Sequence, residues 1–221
     1  ADAKTIAAAI NTAATNIGIT ATATNNATLG NLGSAGTVSM TLNGSSVSAV
    51  VTDKSDLSSL AASINGLQST TGVTASFATP GNKSVITLST TDGRDITVVD
   101  FNNSGATKTA DIVAGTTTTT LTGGAATDST TITGTIELAS SAGQITAGNA
   151  NASVFGTSVS AFNSVATLDL LSATNSQAAL KTLDAALAQV NSTRGDLGAI
   201  QNRFSSTIAN LQSTSENLSA S

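Results

Sequence analysis

Apolar and polar positions follow two different rhythms along the chain. Val38, Met40 and Leu42 alternate with polar residues, Asn43-Gly44 follows, and Val47, Ala49 and Val51 alternate back. Asn-Gly supplies the two positive-φ positions of a tight turn, so this stretch predicts a β-hairpin. Ile86 and Leu88, then Asp92-Gly93, then Ile96 and Val98 predict a second one. Between them Leu57, Leu60, Ala61 and Ile64 recur at helical spacing, with Asp53 or Ser55 placed as N-cap. Val73, Ala75 and Phe77 then alternate as a strand does. The predicted unit is hairpin, helix, hairpin, with the helix laid across one face of a small antiparallel sheet.

Half of that unit occurs twice. Residues 2–21 reappear at 56–75 without a gap: Ala7, Ala8, Ile10 and Asn11 match Ala61, Ala62, Ile64 and Asn65. Gly18-Ile19-Thr20-Ala21 matches Gly72-Val73-Thr74-Ala75, and Ile6 corresponds to Leu60. The shared pattern combines spaced apolar residues, Asn and Gly, so it is more than common alanine content. Both copies are expected to form a helix followed by a strand. The first begins at its helix, which places its leading hairpin upstream of Ala1.

From Gly105 to Gly148 the sequence is rich in Thr and Gly, including Thr116 to Thr120. Long Thr runs favour edge strands and loops over helices. Ile132, Ile136 and Leu138, and then Ile145, suggest short strands in a solvent-facing β region without chemistry of its own. Val154 to Val165 reads as extended.

Beyond Ser172 the composition turns to Ala, Leu, Gln and Asn, and the period becomes helical. Thr174 and Gln177 fit a capping box. Leu183, Val190, Leu197, Phe204, Leu211 and Leu218 fall on every d position of a heptad register. Leu180, Leu187, Arg194, Gln201, Ile208 and Ser215 fall on the a positions. About 45 helical residues would extend on the order of 65 Å. A helix of that length with one apolar stripe needs partner helices. The fold class expected is therefore α+β: a β-rich outer domain over 1–152 with short helices on antiparallel hairpins, an extended connection over 153–173, and a long coiled-coil-type helix over 174–221.

Composition narrows the chemistry. The 221 residues include no Cys, His, Trp or Tyr, and aromatics make up 2%. Imidazole, thiolate and Cys/His zinc chemistry are thereby excluded. Eight Lys and Arg stand against 13 Asp and Glu, for a net charge of -5. Without a basic run or stacking aromatics, nucleic-acid binding is disfavoured. No apolar run reaches the roughly 18 residues of a membrane span.

Asp92, Asp95 and Asp100 form the densest carboxylate group, but their spacing is not that of an EF-hand loop and Asp92-Gly93 suits a turn. Asp111, Asp128 and Glu137 are the acidic residues of the Thr-rich stretch. Asp169, Asp184 and Asp196 read as cap or exposed helix residues. Ser and Thr hydroxyls without a His base make catalysis improbable. The expectation is no catalytic, metal or cofactor site. The five Phe residues (77, 101, 155, 162 and 204) are mostly expected in the core, which leaves few platforms for a sugar ligand.

Leu180-Lys-Thr-Leu-Asp-Ala-Ala-Leu-Ala-Gln-Val190, Arg194-Gly-Asp-Leu-Gly-Ala-Ile-Gln-Asn-Arg-Phe204 and the following Ser-Ser-Thr-Ile-Ala-Asn-Leu211 closely resemble the C-terminal rod segment of bacterial flagellins. Thr167 to Thr174 looks like the lead-in to that helix. The repeat around Ile10-Asn11 and Ile64-Asn65 is similar to a short hairpin–helix motif in the variable region of flagellins and hook-associated proteins.

The resemblance implies a structural subunit of the flagellar filament, exported through the flagellar secretion channel without a cleaved signal peptide and extracellular. It implies motility through self-assembly of a helical rod. Leu180, Leu183, Leu187, Val190, Leu197, Phe204, Ile208, Leu211 and Leu218 would be the rod-packing residues. Arg194, Gln201 and Arg203 would be a candidate polar interface. The implied partners are other flagellin subunits and an N-terminal rod segment that these residues do not include, with an innate immune receptor or a surface glycan as further candidates. A hook-associated junction protein and a surface adhesin using the outer domain are the alternatives.

Overall fold

The computed structural model describes residues 2–15, 17–140, 145 and 164–221, which form two compact units. The first contains helix α1 (Ala3–Ala13) and strands β1 (Ile19–Gly30), β2 (Gly36–Leu42) and β3 (Ser45–Val51). Helices α2 (Ser58–Gly66) and α3 (Gln68–Thr71) precede strands β4 (Thr74–Ser76), β5 (Val85–Thr90) and β6 (Ile96–Asn103). Strands β7 (Thr109–Ala114), β8 (Thr117–Thr122), β9 (Thr130–Ile132) and β10 (Thr135–Ser140) follow. The second unit carries a 3-10 turn (Val165–Thr167) and the long helix α4 (Ala173–Ala220). The chain is α+β.

The first predicted hairpin forms as read. Leu42 pairs with Ser45 and Gly36 with Val51, while Asn43 and Gly44 take φ of 46° and 83° at the turn. Its alternation places Val38, Leu42, Val47 and Val51 inside.

The second predicted hairpin does not form. Strand β5 pairs with β4 and β1 in one sheet, ordered β4-β5-β1-β7-β8 with β10 also on β1. Strand β6 lies in the other, ordered β3-β2-β6-β9. Both edges of β5 are occupied, so the Asp92-Gly93 loop carries the chain from one sheet to the other. The alternating faces of both sheets and of α2 meet in one core that includes Leu29, Leu42, Leu60, Ile64, Leu88, Val98 and Phe101. Helix α2 thus packs against both β3 and β4, where a helix across a single sheet was expected.

Neither Asp53 nor Ser55 caps α2: its N-cap is Leu57, which makes no side-chain cap bond. Asp53 accepts from Ser55 N in a local turn, whereas Asp56 Oδ1 accepts from Ser58 N at the helix start (2.9 Å). In the first copy, Asp2 occupies the matching place and its Oδ1 accepts from Thr5 N (2.9 Å). Both copies run helix then strand.

The Thr-rich region contributes more to the core than its composition suggests. Strands β7 and β8 pair throughout, turning at Gly115 (φ 59°), and Ala110, Ile112 and Leu121 are buried in the common core. Alternation sets Thr118, Thr120 and Thr122 on the face opposite Leu121, while Thr117 and Thr119 continue the Leu121 face toward the turn. Ile136 and Leu138 lie on β10, and Ile145 lies outside regular structure. Of the stretch expected to be extended, residues 154–163 lie outside the described residues and Val165 opens the 3-10 turn.

In the second unit, α4 begins two residues earlier than the capping-box reading placed it. Ser172 is the N-cap, its Oγ accepting from Asn175 N at 3.0 Å. Asp169 arrests the preceding segment by accepting from Leu171 N (2.9 Å) and from Asn175 Nδ2 (2.8 Å). Ser172 wins over Thr174 because its extended backbone leaves the side chain facing the first free amides.

Candidate assembly interface

The acidic residues of the first unit are held in separate local networks. Asp92 Oδ2 accepts from Arg94 Nη2 at 2.6 Å and from Lys4 Nζ at 2.9 Å. Arg94 lies over Gly72, whose lack of a side chain admits the guanidinium. The Arg94 hydrogen bonds, then that of Lys4, hold the Asp92 carboxyl well below the usual carboxylate range. This network joins the first helix copy to the end of the second. The open cleft beside it, about 480 Å³, is lined by Asn65, Gln68 and Arg94 among others, and its charges already neutralise one another.

Asp111 accepts from Thr120 Oγ1 (2.6 Å) and Asn31 Nδ2 (2.7 Å), and these bonds lower its pKa in that order. Asp128 accepts from Ser129, and Glu137 sits on β10. Among the described residues, no three carboxylates converge as a metal would require. Phe101 is buried and Phe77 packs at the edge of the core, while Phe204 is exposed; Phe155 and Phe162 lie outside the described residues.

The feature with the greatest unsatisfied drive is α4. Its 48 residues extend about 70 Å at 1.5 Å per residue. Leu180, Leu183, Leu187, Val190, Leu197, Phe204, Ile208, Leu211 and Leu218 are between 40% and 73% exposed. They form one stripe. On a straight helix a heptad stripe drifts by about 20° per repeat, so a covering partner would wrap it with a left-handed supercoil.

The helix carries three basic residues (Lys181, Arg194 and Arg203) and three acidic ones (Asp184, Asp196 and Glu216), so apolar contact and not net charge dominates it. Arg194 and Gln201, one heptad apart, share a face with the stripe. Arg203 precedes Phe204 by one position and is turned about 100° away, so the three polar candidates do not form one patch.

Ile200, 47% exposed, was missed by the heptad register because it falls beside the a position. Its signal is the i, i+3, i+7 spacing of Leu197, Ile200 and Phe204. Leu170 and Leu171, 69% and 93% exposed just before α4, were missed because a lead-in has no periodicity to read. Gly195 and Gly198 stand mid-helix with open space where a side chain would be. Among the described residues, no helix is long and apolar enough to cross a membrane.

Residues 180–221 match the family described as the bacterial flagellin C-terminal helical region. The B-type flagellin of Pseudomonas aeruginosa is 34% identical over 172 residues, which cover 72% of this chain and 34% of that protein. A flagellin of Salmonella choleraesuis is 56% identical over 48 residues, 22% of this chain and 10% of that protein. Flagellin E of Vibrio cholerae serotype O1 is 45% identical over 60 residues, 27% of this chain and 16% of that protein. The chain thus spans about a third or less of the relatives it matches. The long match to the Pseudomonas protein covers much more than the helix, and both it and the helical-region match are to bacterial flagellins.

Proposed function

We propose that the chain is the outer domain and C-terminal rod segment of a flagellar filament subunit, serving motility by assembling into a helical rod outside the cell. In this reading residues 1–152 form the outer domain, 153–173 the connection and 174–221 the rod helix. The observation that carries it is the exposed apolar stripe of α4, coincident with the family match. Each of its large side chains offers ~1.5–3 kcal/mol on full burial, a drive that a lone helix leaves unused. The partners are an N-terminal rod segment of the longer protein and neighbouring subunits. Arg194 and Gln201, polar at a positions, disfavour a symmetric self-pairing and favour a different partner helix.

The test is made in the longer protein. Leu197→Asp and Phe204→Asp, singly and together, should leave the outer domain folded by circular dichroism and abolish filaments in electron micrographs. Normal filaments from the double variant would refute the reading.

A further inference from the structure

Strand β3 ends the four-stranded sheet, and among the described residues no strand pairs with its outer edge. At seven residues it is the longest of the four edge strands, β8 having six and β4 and β9 three each. Its sequence, Ser-Ser-Val-Ser-Ala-Val-Val, carries neither charge nor proline, and Val50 is 63% exposed. A long uncharged edge of high β propensity is a template for adding a strand from another chain.

Helix α2 closes that edge with two hydroxyls. Ser59 Oγ donates to Val50 O at 2.7 Å and Ser63 Oγ to Ser48 O at 3.1 Å. Successive residues of an antiparallel strand turn their backbone groups to opposite sides, so Ser46, Ser48 and Val50 are the residues that face away from β2. Two of their three carbonyls are thus occupied from one helix, by serines four apart on one face. The first copy of the motif offers a comparison. Thr5 and Ala9 stand where α2 has Ser59 and Ser63. Thr5 Oγ1 donates to Asp2 at its own helix start, and Ala9 has no hydroxyl. The pair of strand-capping hydroxyls therefore belongs to α2 and not to the helix–strand motif as such.

We propose that the outer edge of β3 is a latent strand-addition surface for a second copy of this chain, held closed by the Ser59 and Ser63 hydroxyls. A second copy fits because the edge is complementary to itself. In a two-fold antiparallel pairing centred on Ser48, Ser46 of one copy faces Val50 of the other, and each outward N–H meets an outward carbonyl. No charge on either strand opposes the approach. With the hydroxyls in place, the carbonyls of Ser48 and Val50 are already taken and only that of Ser46 is left to accept. The inference does not depend on the reading of α4, since every residue in it lies in the first unit.

The 221 residues contain no cysteine, so Ser48→Cys reads this pairing by disulfide formation. Hydrogen-bonded partners across such a pair lie about 5.5 Å apart between Cα atoms, within the ~4.4–6.8 Å that a disulfide spans. Under air oxidation Ser48→Cys alone should link slowly. With Ser59→Ala and Ser63→Ala added, it should link at least tenfold faster at the same protein concentration. Ser59→Thr with Ser63→Thr keeps both hydroxyls and should link as slowly as Ser48→Cys alone. Ala62→Cys, exposed on α2, is the control and should link at one rate in all three backgrounds; association through α4 is common to them all. Equal rates at position 48 with and without the serine hydroxyls would overturn the proposal. So would a threonine variant that links as fast as the alanine one. Equal acceleration at positions 48 and 62 would also overturn it, because that marks general loosening and not strand pairing.

Discussion

Asn65 clamps Ala75 through both of its amide atoms, donating from Nδ2 to the carbonyl at 2.8 Å and accepting the amide at Oδ1 at 2.7 Å. One side chain at the end of a helix thereby sets where the following strand starts, and so how the motif's apolar faces meet. Replacing it by Ala removes two hydrogen bonds of ~0.5–1.5 kcal/mol each. Asn65→Ala should therefore lower stability by about 1–3 kcal/mol in urea unfolding. Asn65→Asp should not rescue it, since a carboxylate cannot donate to Ala75 O. Wild-type stability in either variant would show the clamp to be incidental.

The Lys4–Asp92–Arg94 network predicts a pH dependence. Asp92 is depressed in the folded state by Arg94 and Lys4, so its contribution is present above the ordinary carboxylate pKa of about 4. It is lost as pH falls below that value towards the folded-state pKa. Asp2, Asp56 and Asp111 are lowered as well and add in the same direction. The midpoint of thermal unfolding should drop steadily below about pH 4, and Asp92→Asn should flatten part of that drop while lowering stability at pH 7.

Gly195 and Gly198 weaken α4 internally, and a side chain at either would meet nothing within 4 Å. Glycine costs a helix interior about 1 kcal/mol relative to alanine. Gly195→Ala and Gly198→Ala should each raise the helicity and melting temperature of the 221-residue chain. A loss of helicity would mean that α4 is bent or frayed at this point.

The 221-residue chain by itself should sediment as a monomer or a low-order associate. Its stripe is apolar enough to attract a partner, but Arg194, Gln201 and Ser215 interrupt the a positions of a symmetric seam. Long ordered filaments from this chain alone would contradict the assignment of the stripe to a different helix.

Much of this architecture is legible from residue pattern because the signals are local. Asn43-Gly44 between two alternating runs fixes a hairpin, and leucines at heptad spacing fix a helix. The spaced matches between residues 2–21 and 56–75 fix a duplicated motif. What escaped is non-local. Ile86, Leu88, Ile96 and Val98 alternate as any two strands would, and alternation does not say that β1 already occupies the edge of β5 that β6 would have needed. The Thr run around Leu121 looks like pure surface until β7 turns that one leucine into the core. Thr174 and Ser172 are both N-cap residues by type, and the bonds that Asp169 accepts are visible only in three dimensions. The stripe residues of α4 were readable from their spacing, but a stripe of that spacing does not name its partner.

The most direct test of the central claim, that the α4 stripe is an assembly seam, uses the absence of cysteine. Phe204→Cys and Leu211→Cys, introduced singly into the longer protein, would be labelled with a soluble maleimide before and after polymerisation. Both positions are more than 60% exposed here, so labelling of the 221-residue chain should be fast. In filaments it should slow by at least tenfold at both positions. Equally fast labelling in well-formed filaments would show that the stripe faces solvent in the rod and would contradict the account.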